Sequence, residues 1–583
     1  MRRFQRSDIW SLVAVTITAS VVFLIAAPMD PEPYHDGSQL PAAIGVANGL
    51  VVHQDVFSAY GFVTAWLQGL AVFIFGPQLL TIRIFTALVL VVIAVLLFVL
   101  VRWITRSRWT AVGISLVWVM AWPGAAVIWG TPLLPWPSVV FLAFQLAAVL
   151  LTLNGLIKSE SPARHWWFFF AGIFLGLAVL TRINYGVFLA LALGVSLLVL
   201  RNKSAIHLRE FASATIGTLM SVLVPLGVVA LQGAFLPFWD QSIRGPLQGK
   251  AIVKPTEWFY LENAYLWGSV LLSLTLLVVI WLGYQHKVPR TWYFALVGLG
   301  VFGLILWTSS AIEGSPVRTL ILSKLTWSPA LDGQVMQPMF LAAVATPIIL
   351  ISTLGLLISK KNDTFSTPQQ NRVVLVVLSL TAMASLVQLY PVADPNHLWW
   401  SAPLPLALLV FALRSLSAQK YRWAVSAVIV IPTLIISLFA QVNFITQPRT
   451  EITTGVLTGM RIAQSLAPNV EKVNALLSDV QPGTASIECK EGLFAVWNNE
   501  YLPSSPNYVD YSYLLESASP GTPPERIFVC FPPNDAVAIA DYAKENSLTI
   551  VRQSGNFVLS YFASTNLVEF STQKLAKPLN TTD

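Results

Sequence analysis

Four ionisable residues crowd together just after the first apolar run. They are His35 and Asp36, within Tyr34-His35-Asp36-Gly37, and His53 and Asp55, within His53-Gln54-Asp55; Tyr60-Gly61 follows. Charge at a membrane face is costly to place, so its presence there reads as function. A carboxylate held in such a loop can take a proton from an attacking hydroxyl. Asp36 is the expected catalytic carboxylate and Asp55 the second candidate; His35, His53 and Tyr60 are expected to touch substrate. The competing structural readings are that Asp36 caps a helix in a wet loop and that Asp55 starts one. The two histidines would then be loop residues.

The candidate cations lie in other polar loops. Arg182 sits between two closely spaced apolar runs, Arg244, Lys250 and Lys254 share the loop at 235–263, and His397 follows Asp394. Of the six histidines, His35, His53 and His397 each lie within three residues of an aspartate, whereas His165, His207 and His286 sit in basic loops. The structural alternatives are that Arg182 snorkels to the headgroups, that the lysines attract anionic lipid, and that His397 belongs to a capped turn.

The elements that must position these residues are built for lipid. The chain of 583 residues is 55% hydrophobic and 11% charged, with a mean hydropathy of +0.68. A soluble domain carries about 25% charged residues, so this is a polytopic membrane protein. The net charge of +7 comes from basic residues in short loops between apolar spans. No basic helix or aromatic-interleaved basic patch points to nucleic acid. Apolar runs predict about thirteen spans, at 9–28, 79–101, 109–130, 135–157, 166–181, 184–200, 211–234, 264–284, 292–309, 337–358, 373–391, 399–416 and 423–441. The first is expected to be an uncleaved helix, because a cleavable apolar core is usually only about 7–15 residues long.

Lysine and arginine concentrate in alternate loops, which predicts a cytoplasmic N-terminus in a plasma or inner membrane. Residues 58–77 are apolar enough to span, but a span there would invert every later loop. An interfacial helix on the outer face, broken from the next span at Gly76-Pro77, fits the charges better. The Trp399-Trp400 pair is expected in the interfacial belt, and Gly172 and Gly176 at a helix packing face.

The segment 445–583 returns to ordinary soluble composition and is expected outside, as a small exoplasmic α/β domain. Its short runs at 485–489, 526–530, 548–552 and 556–562 read as strands, and 470–479 and 535–545 as helices. Cys489 and Cys530, the two cysteines of the chain, each end a predicted strand. An exported domain permits a disulfide between them; two buried thiols are the alternative.

Several stretches together resemble the GT-C glycosyltransferases, among them the protein O-mannosyltransferases and the lipid A aminoarabinose transferases. The matching residues are Asp36, Gly49 through Asp55, Tyr60-Gly61, Phe75-Gly76 and Arg83; then Gly172 through Thr181-Arg182, with Arg where that family has Lys; then His397 through Pro403 and Pro405. The resemblance covers most of the membrane region, about 1–444, through short motifs. It implies a GT-C-like helical fold and transfer of a sugar from a polyprenyl-phosphate donor to an envelope glycan, lipid or protein on the exoplasmic face. Asp36 would be the general base. Arg182, Lys250, Lys254, Arg244 and His397 would be available to the leaving phosphate, which a planar guanidinium suits best.

The chain departs from the pattern in the loop at 131–137, where many relatives carry a further acid and this sequence has none; Asp55 or Asp394 could substitute. Carboxylates beside histidines leave a divalent cation open, but their spacing is no metal signature, and no cofactor is expected. The other readings are a transporter or flippase of lipid-linked sugars, a ligase joining lipid-linked oligosaccharides, and a non-catalytic envelope assembly protein. The first predicts acids in mid-span, where the sequence has none.

Overall fold

The structure, a computed structural model, describes residues 5–245, 336–358, 369–389, 395–416 and 422–571, except 34, 59, 123–132, 158–162, 202–207, 481–484, 490–491, 498–525, 532–534 and 561–562. The spans expected at 264–284 and 292–309, the second half of that at 109–130, and Lys250 and Lys254 lie outside the described residues.

Among the described residues, the regular secondary structure of the membrane part is helical. Its first half comprises α1 (Arg6–Ala26), α2 (Leu40–Ala47), α3 (Phe62–Phe75), α4 (Leu79–Thr105), α5 (Arg108–Met120), α6 (Pro137–Ile157), α7 (Arg164–Thr181), α8 (Ile183–Leu200), α9 (Leu208–Leu231) and the short α10 (Phe235–Trp239). After the undescribed stretch come α11 (Gln337–Ile358), α12 (Gln369–Ser385), α13 (Pro395–Ser401), α14 (Pro403–Leu416) and α15 (Arg422–Thr446). Among the described residues, seven helices are long and apolar enough to cross a membrane, or eight if the bent pair α13–α14 is one span. In lipid every backbone polar group needs an internal partner, which is why such a run folds as helix.

The buried stripe of α1 (Val15, Ala19, Val22, Phe23 and Ala26) follows helical spacing, while Trp10, Ile17 and Val21 stay exposed. Helix α4 is the central post, packed against α1, α5 and α6. Its two ends are marked by buried charge. Near its C-terminus the Arg102 guanidinium donates to both Asp8 oxygens at 2.8 and 2.9 Å. At its N-terminus stands Arg83, about 28 Å away along the axis.

Helix α3 is 14 residues long, about 21 Å, short of a hydrocarbon core of about 30 Å. The span expected at 399–416 is broken: α13 and α14 meet at Ala402 with a 58° bend. Pro403 lacks an N–H and disfavours helix at the residue before it. Pro405 likewise offers no N–H to the Ser401 carbonyl four residues back, which accepts instead from the Ser385 hydroxyl at 2.8 Å.

Trp399 and Trp400, expected in the interfacial belt, are instead 2% and 3% exposed. Trp399 stacks on Trp118 at 4.7 Å. Each indole N–H donates to the other residue's carbonyl, at 3.1 and 2.8 Å. Two large rings whose polar edges satisfy one another can leave the interface for the core.

The C-terminal part begins with the antiparallel pair β1 (Arg449–Glu451) and β2 (Arg461–Ala463). Beyond it lie β3 (Ala485–Glu488), β4 (Arg526–Phe531), β5 (Thr549–Ser560) and β6 (Ala563–Ser571), with helices α16 (Ala467–Leu477) and α17 (Ala536–Glu545). The four-stranded sheet runs β3-β4-β6-β5, with β3 and β4 parallel and the rest antiparallel. The runs expected as separate strands at 548–552 and 556–562 form one strand, β5, whose register shifts three times against β6. Those bulges break the alternation from which strands are read. A disulfide joins Cys489 to Cys530 with a Cα–Cα distance of 4.9 Å, tying the ends of the parallel pair. The core under this part is continuous with the membrane helices, since Leu40, Ile44, Leu79 and Ile82 pack with Ile452, Met460, Val473 and Phe494.

Candidate active site

The site is built on the loop between α1 and α2. Asp36 closes a tight turn: its N–H donates to the Glu32 carbonyl at 3.0 Å, and its Oδ2 accepts the Glu32 N–H at 2.7 Å. Its own carbonyl accepts from Leu40, the first residue of α2. Arg83, the fifth residue of α4, grips this turn. Its Nε donates to Asp36 Oδ1 at 3.0 Å and its Nη2 to Oδ2, while Nη1 donates to the Met29 carbonyl at 2.6 Å. Both side chains are fully buried. Burial pushes the Asp36 carboxyl up; the charge and hydrogen bonds of Arg83 and the Glu32 N–H pull it the other way. Every partner on its oxygens is a donor, so the ionised form is the one they hold.

Next to Asp36 the same loop turns a second acid inward. Glu32 is 5% exposed. Its Oε2 accepts from His35 Nδ1 at 2.7 Å and from the His35 backbone N–H. The His35 ring meets Trp136 edge-on at 5.2 Å, and Trp136 meets Tyr60 edge-on at 5.3 Å. Tyr60 in turn lies under the Arg182 guanidinium at 4.2 Å, and the same guanidinium lies over the Tyr185 ring at 4.4 Å. His35, Trp136, Tyr60, Arg182 and Tyr185 thus form one continuous wall.

Arg182 occupies the break between α7 and α8, with extended backbone (φ −142°, ψ 93°). It is 5% exposed, yet its Nε and Nη1 have no hydrogen-bond partner among the described residues. The Trp136 indole N–H is buried and unpartnered as well. Such groups are costly unless something completes them. All three are donors, so what completes them must accept hydrogen bonds, as an anion does. The approach of Tyr60 depends on Gly61, where an added Cβ would lie 1.7 Å from the Leu180 carbonyl oxygen.

Of the residues expected from the sequence, Asp36, His35, Tyr60 and Arg182 come together here. His53 does not join them. It is 2% exposed, with its ring against Phe62 and Phe238 and its Nδ1 2.9 Å from the Gln241 side-chain oxygen. Burial pulls its pKa down to about 4, with the Gln241 hydrogen bond opposing. Asp55 is exposed and accepts the Val51 N–H at 2.8 Å, a turn-closing contact. Arg244 is 63% exposed and lies 3.6 Å from Asp240. His397 stands in α13 with its ring against Trp400 at 5.1 Å.

Sequence reasoning missed Glu32, Trp136 and Tyr185, and saw Arg83 only as a motif position. The spacing of Glu32 three residues before His35, the reach of a single turn, was the available signal for the first. Among the described residues no group of three His, Cys, Asp or Glu is arranged to hold a metal ion.

No protein-family profile and no curated protein sequence matches the chain. Among solved structures it is similar to the crystal structure of ArnT from Cupriavidus metallidurans bound to undecaprenyl phosphate. The identity is 14% and the TM-score 0.49, over 98% of this chain and 99% of that one. It is also similar to the Archaeoglobus fulgidus oligosaccharyltransferase in complex with Zn and sulfate, at 11% identity and a TM-score of 0.45, over 88% of this chain and 67% of that one.

Proposed function

We propose that this chain is an integral-membrane glycosyltransferase. It moves a sugar from a polyprenyl-phosphate donor to a hydroxyl of an envelope glycan, lipid or protein. The observation that carries the reading is Arg182: a buried guanidinium with two N–H-bearing nitrogens unpartnered among the described residues, packed on Tyr60, whose ring also meets Trp136, itself with an indole N–H unpartnered among those residues. A phosphate oxyanion fits such a donor set, and its charge grows as the sugar departs. Arg182 ends a membrane-length helix. A phosphate carried on a lipid arrives at that depth, whereas a soluble nucleotide would have to leave water.

Two ionisable groups, Asp36 and His35–Glu32, lie on the same side of this site for activation of the acceptor hydroxyl. The sequence assigns that role to Asp36. The basic residues gathered at the Arg102 end of α4 support a cytoplasmic N-terminus, with Arg182, the Asp36 loop and the C-terminal part on the exoplasmic side.

The test uses purified protein in nanodiscs with a panel of undecaprenyl-phosphate sugars and an envelope extract as acceptor. Release of undecaprenyl phosphate is followed by mass spectrometry. Wild type is expected to release it from one donor class, and Asp36→Asn to lose that activity. Arg182→Lys, which keeps the charge and loses the planar fork, is expected to lower kcat/KM by about 10²–10³-fold. Folded wild-type protein that releases nothing from any donor would sink the reading. Full activity in Arg182→Lys would remove this residue as the phosphate site.

A further inference from the structure

Asp36 and His35 are neighbours in sequence with opposite surroundings. Asp36 is 0% exposed, and its oxygens accept from the Arg83 fork and from the Glu32 N–H. To take a proton it would have to give up an ion pair closed off from any acceptor. The His35 side chain is 35% exposed, and its Nδ1 is tied at 2.7 Å to a Glu32 carboxylate whose own side chain is 7% exposed. A carboxylate on Nδ1 fixes that nitrogen as the N–H and leaves Nε2 as the basic one. The His35 ring also touches the wall that leads through Trp136 and Tyr60 to Arg182.

We propose that His35, oriented by Glu32, is the general base of the transfer, and that Asp36 is a positioning residue that holds the turn carrying both. The inference rests on the glycosyltransferase reading above. The acceptor oxygen forms its bond to the anomeric carbon as the bond from that carbon to the phosphate oxygen breaks. The bonding pair leaves with the polyprenyl phosphate, whose charge Arg182 and the Trp136 N–H meet. The hydroxyl proton moves to His35 Nε2. The imidazolium so formed is balanced by Glu32 until the proton passes to water. Glu32 thereby supplies the second acid that the loop at 131–137 lacks. Asp36 acts through two contacts: it fixes the Glu32 backbone N–H, and it neutralises Arg83, which also holds the Met29 carbonyl.

Among the described residues, the charged groups in contact with His35 or with its wall include Glu32, the Asp36–Arg83 pair that holds its turn and, beyond Tyr60, Arg182. The experiment measures single-turnover release of undecaprenyl phosphate against pH, in nanodiscs, with the donor class active in wild type. Wild type is expected to lose rate on the acid side through about pH 5.5–7.5, as a catalytic histidine protonates. His35→Gln is expected to slow the step by about 10²–10³-fold, to lose that limb, and to recover part of the rate with added imidazole. Glu32→Gln is expected to move the limb about one unit lower, because the imidazolium loses its counter-charge.

A wild-type profile flat through that range would overturn the inference without any variant. So would a His35→Gln protein at wild-type rate, or one slowed equally at every pH and not rescued by imidazole. Each of these leaves the glycosyltransferase reading standing, with Asp36 as base. Absence of release from every donor by the wild type would instead remove both.

Discussion

At the scale of single residues, polarity in an apolar sequence was a good guide to place and a poor guide to role. His53 illustrates the difference. It takes a left-handed backbone (φ 71°), and the Gln241 amide answers it twice, through its oxygen on Nδ1 and its nitrogen on the His53 carbonyl, each at 2.9 Å. Two aromatic rings close around it, so the neutral form is the stable one in the fold. The consequence is a pH-dependent stability. Its pKa is about 4 folded against 6.5 as the reference value. The unfolded chain therefore binds the extra proton first as pH falls. The contribution is complete above about pH 6.5, declines by up to about 1.4 kcal/mol per pH unit down to about pH 4, and is flat below. His53→Asn, which tolerates the left-handed backbone, is expected to flatten the thermal midpoint across that window. An unchanged slope in nanodisc melting curves would place the pH dependence elsewhere. Asp36, Tyr60 and Arg182 were legible as polar residues amid apolar ones. Trp136 and Tyr185 were not, because a site aromatic and a belt aromatic look alike in sequence.

At the scale of elements, the site depends on backbones brought closer than side chains allow. Gly172 and Gly217 let α7 and α9 touch, since an added Cβ would lie 2.1 Å from the Ala214 or Phe169 carbonyl oxygen. The small-residue face was readable because helix packing needs it at a regular spacing. Gly61 does the same for the wall beside Arg182, with the Leu180 carbonyl oxygen at 1.7 Å from its Cβ position. Gly61→Ala is expected to push the 58–61 loop off the last turn of α7 and carry Tyr60 away from Arg182. A displacement of about 1 Å at a reacting centre costs about 10²-fold, so turnover should fall by that order while α7 and α9 stay packed. Turnover near wild type would show that Tyr60 does not set the Arg182 position. The α13–α14 bend was signalled by Pro403 and Pro405, yet read as a straight span, because apolar run length outweighs a proline in any hydropathy window.

At the scale of the whole molecule, the C-terminal part grips the loop that carries the site. The Arg461 N–H donates to the Pro28 carbonyl at 2.6 Å, and the Asp30 N–H to the Arg461 carbonyl at 2.7 Å. The Arg449 fork meets one Asp30 oxygen at 3.0 and 2.7 Å. Arg449→Met would strand a buried carboxylate, a change worth about 3–5 kcal/mol. It should loosen residues 28–36 without disturbing α6 to α8. Amide hydrogen exchange checks this: faster exchange across 28–36 together with lower turnover is expected. Unchanged exchange there would mean the C-terminal part merely rests on the loop.

The sequence by itself determined what lipid and period dictate: helices of membrane length, the alternation of charged ends, and a C-terminal sheet with a cysteine at the end of two of its strands; that the two cysteines pair was left to the structure. It also singled out the polar residues of the membrane face, but not which of them share a site. Those signals are local, and a few consecutive residues carry each of them. Which of these residues meet was decided only by the tertiary structure. Asp36 is neutralised by a guanidinium 47 positions away, Tyr60 reaches Arg182 across a glycine contact, and His53 is removed from the site by Gln241, 188 positions on. Burial and charge pairing depend on neighbours from distant elements, and no window along the chain contains them.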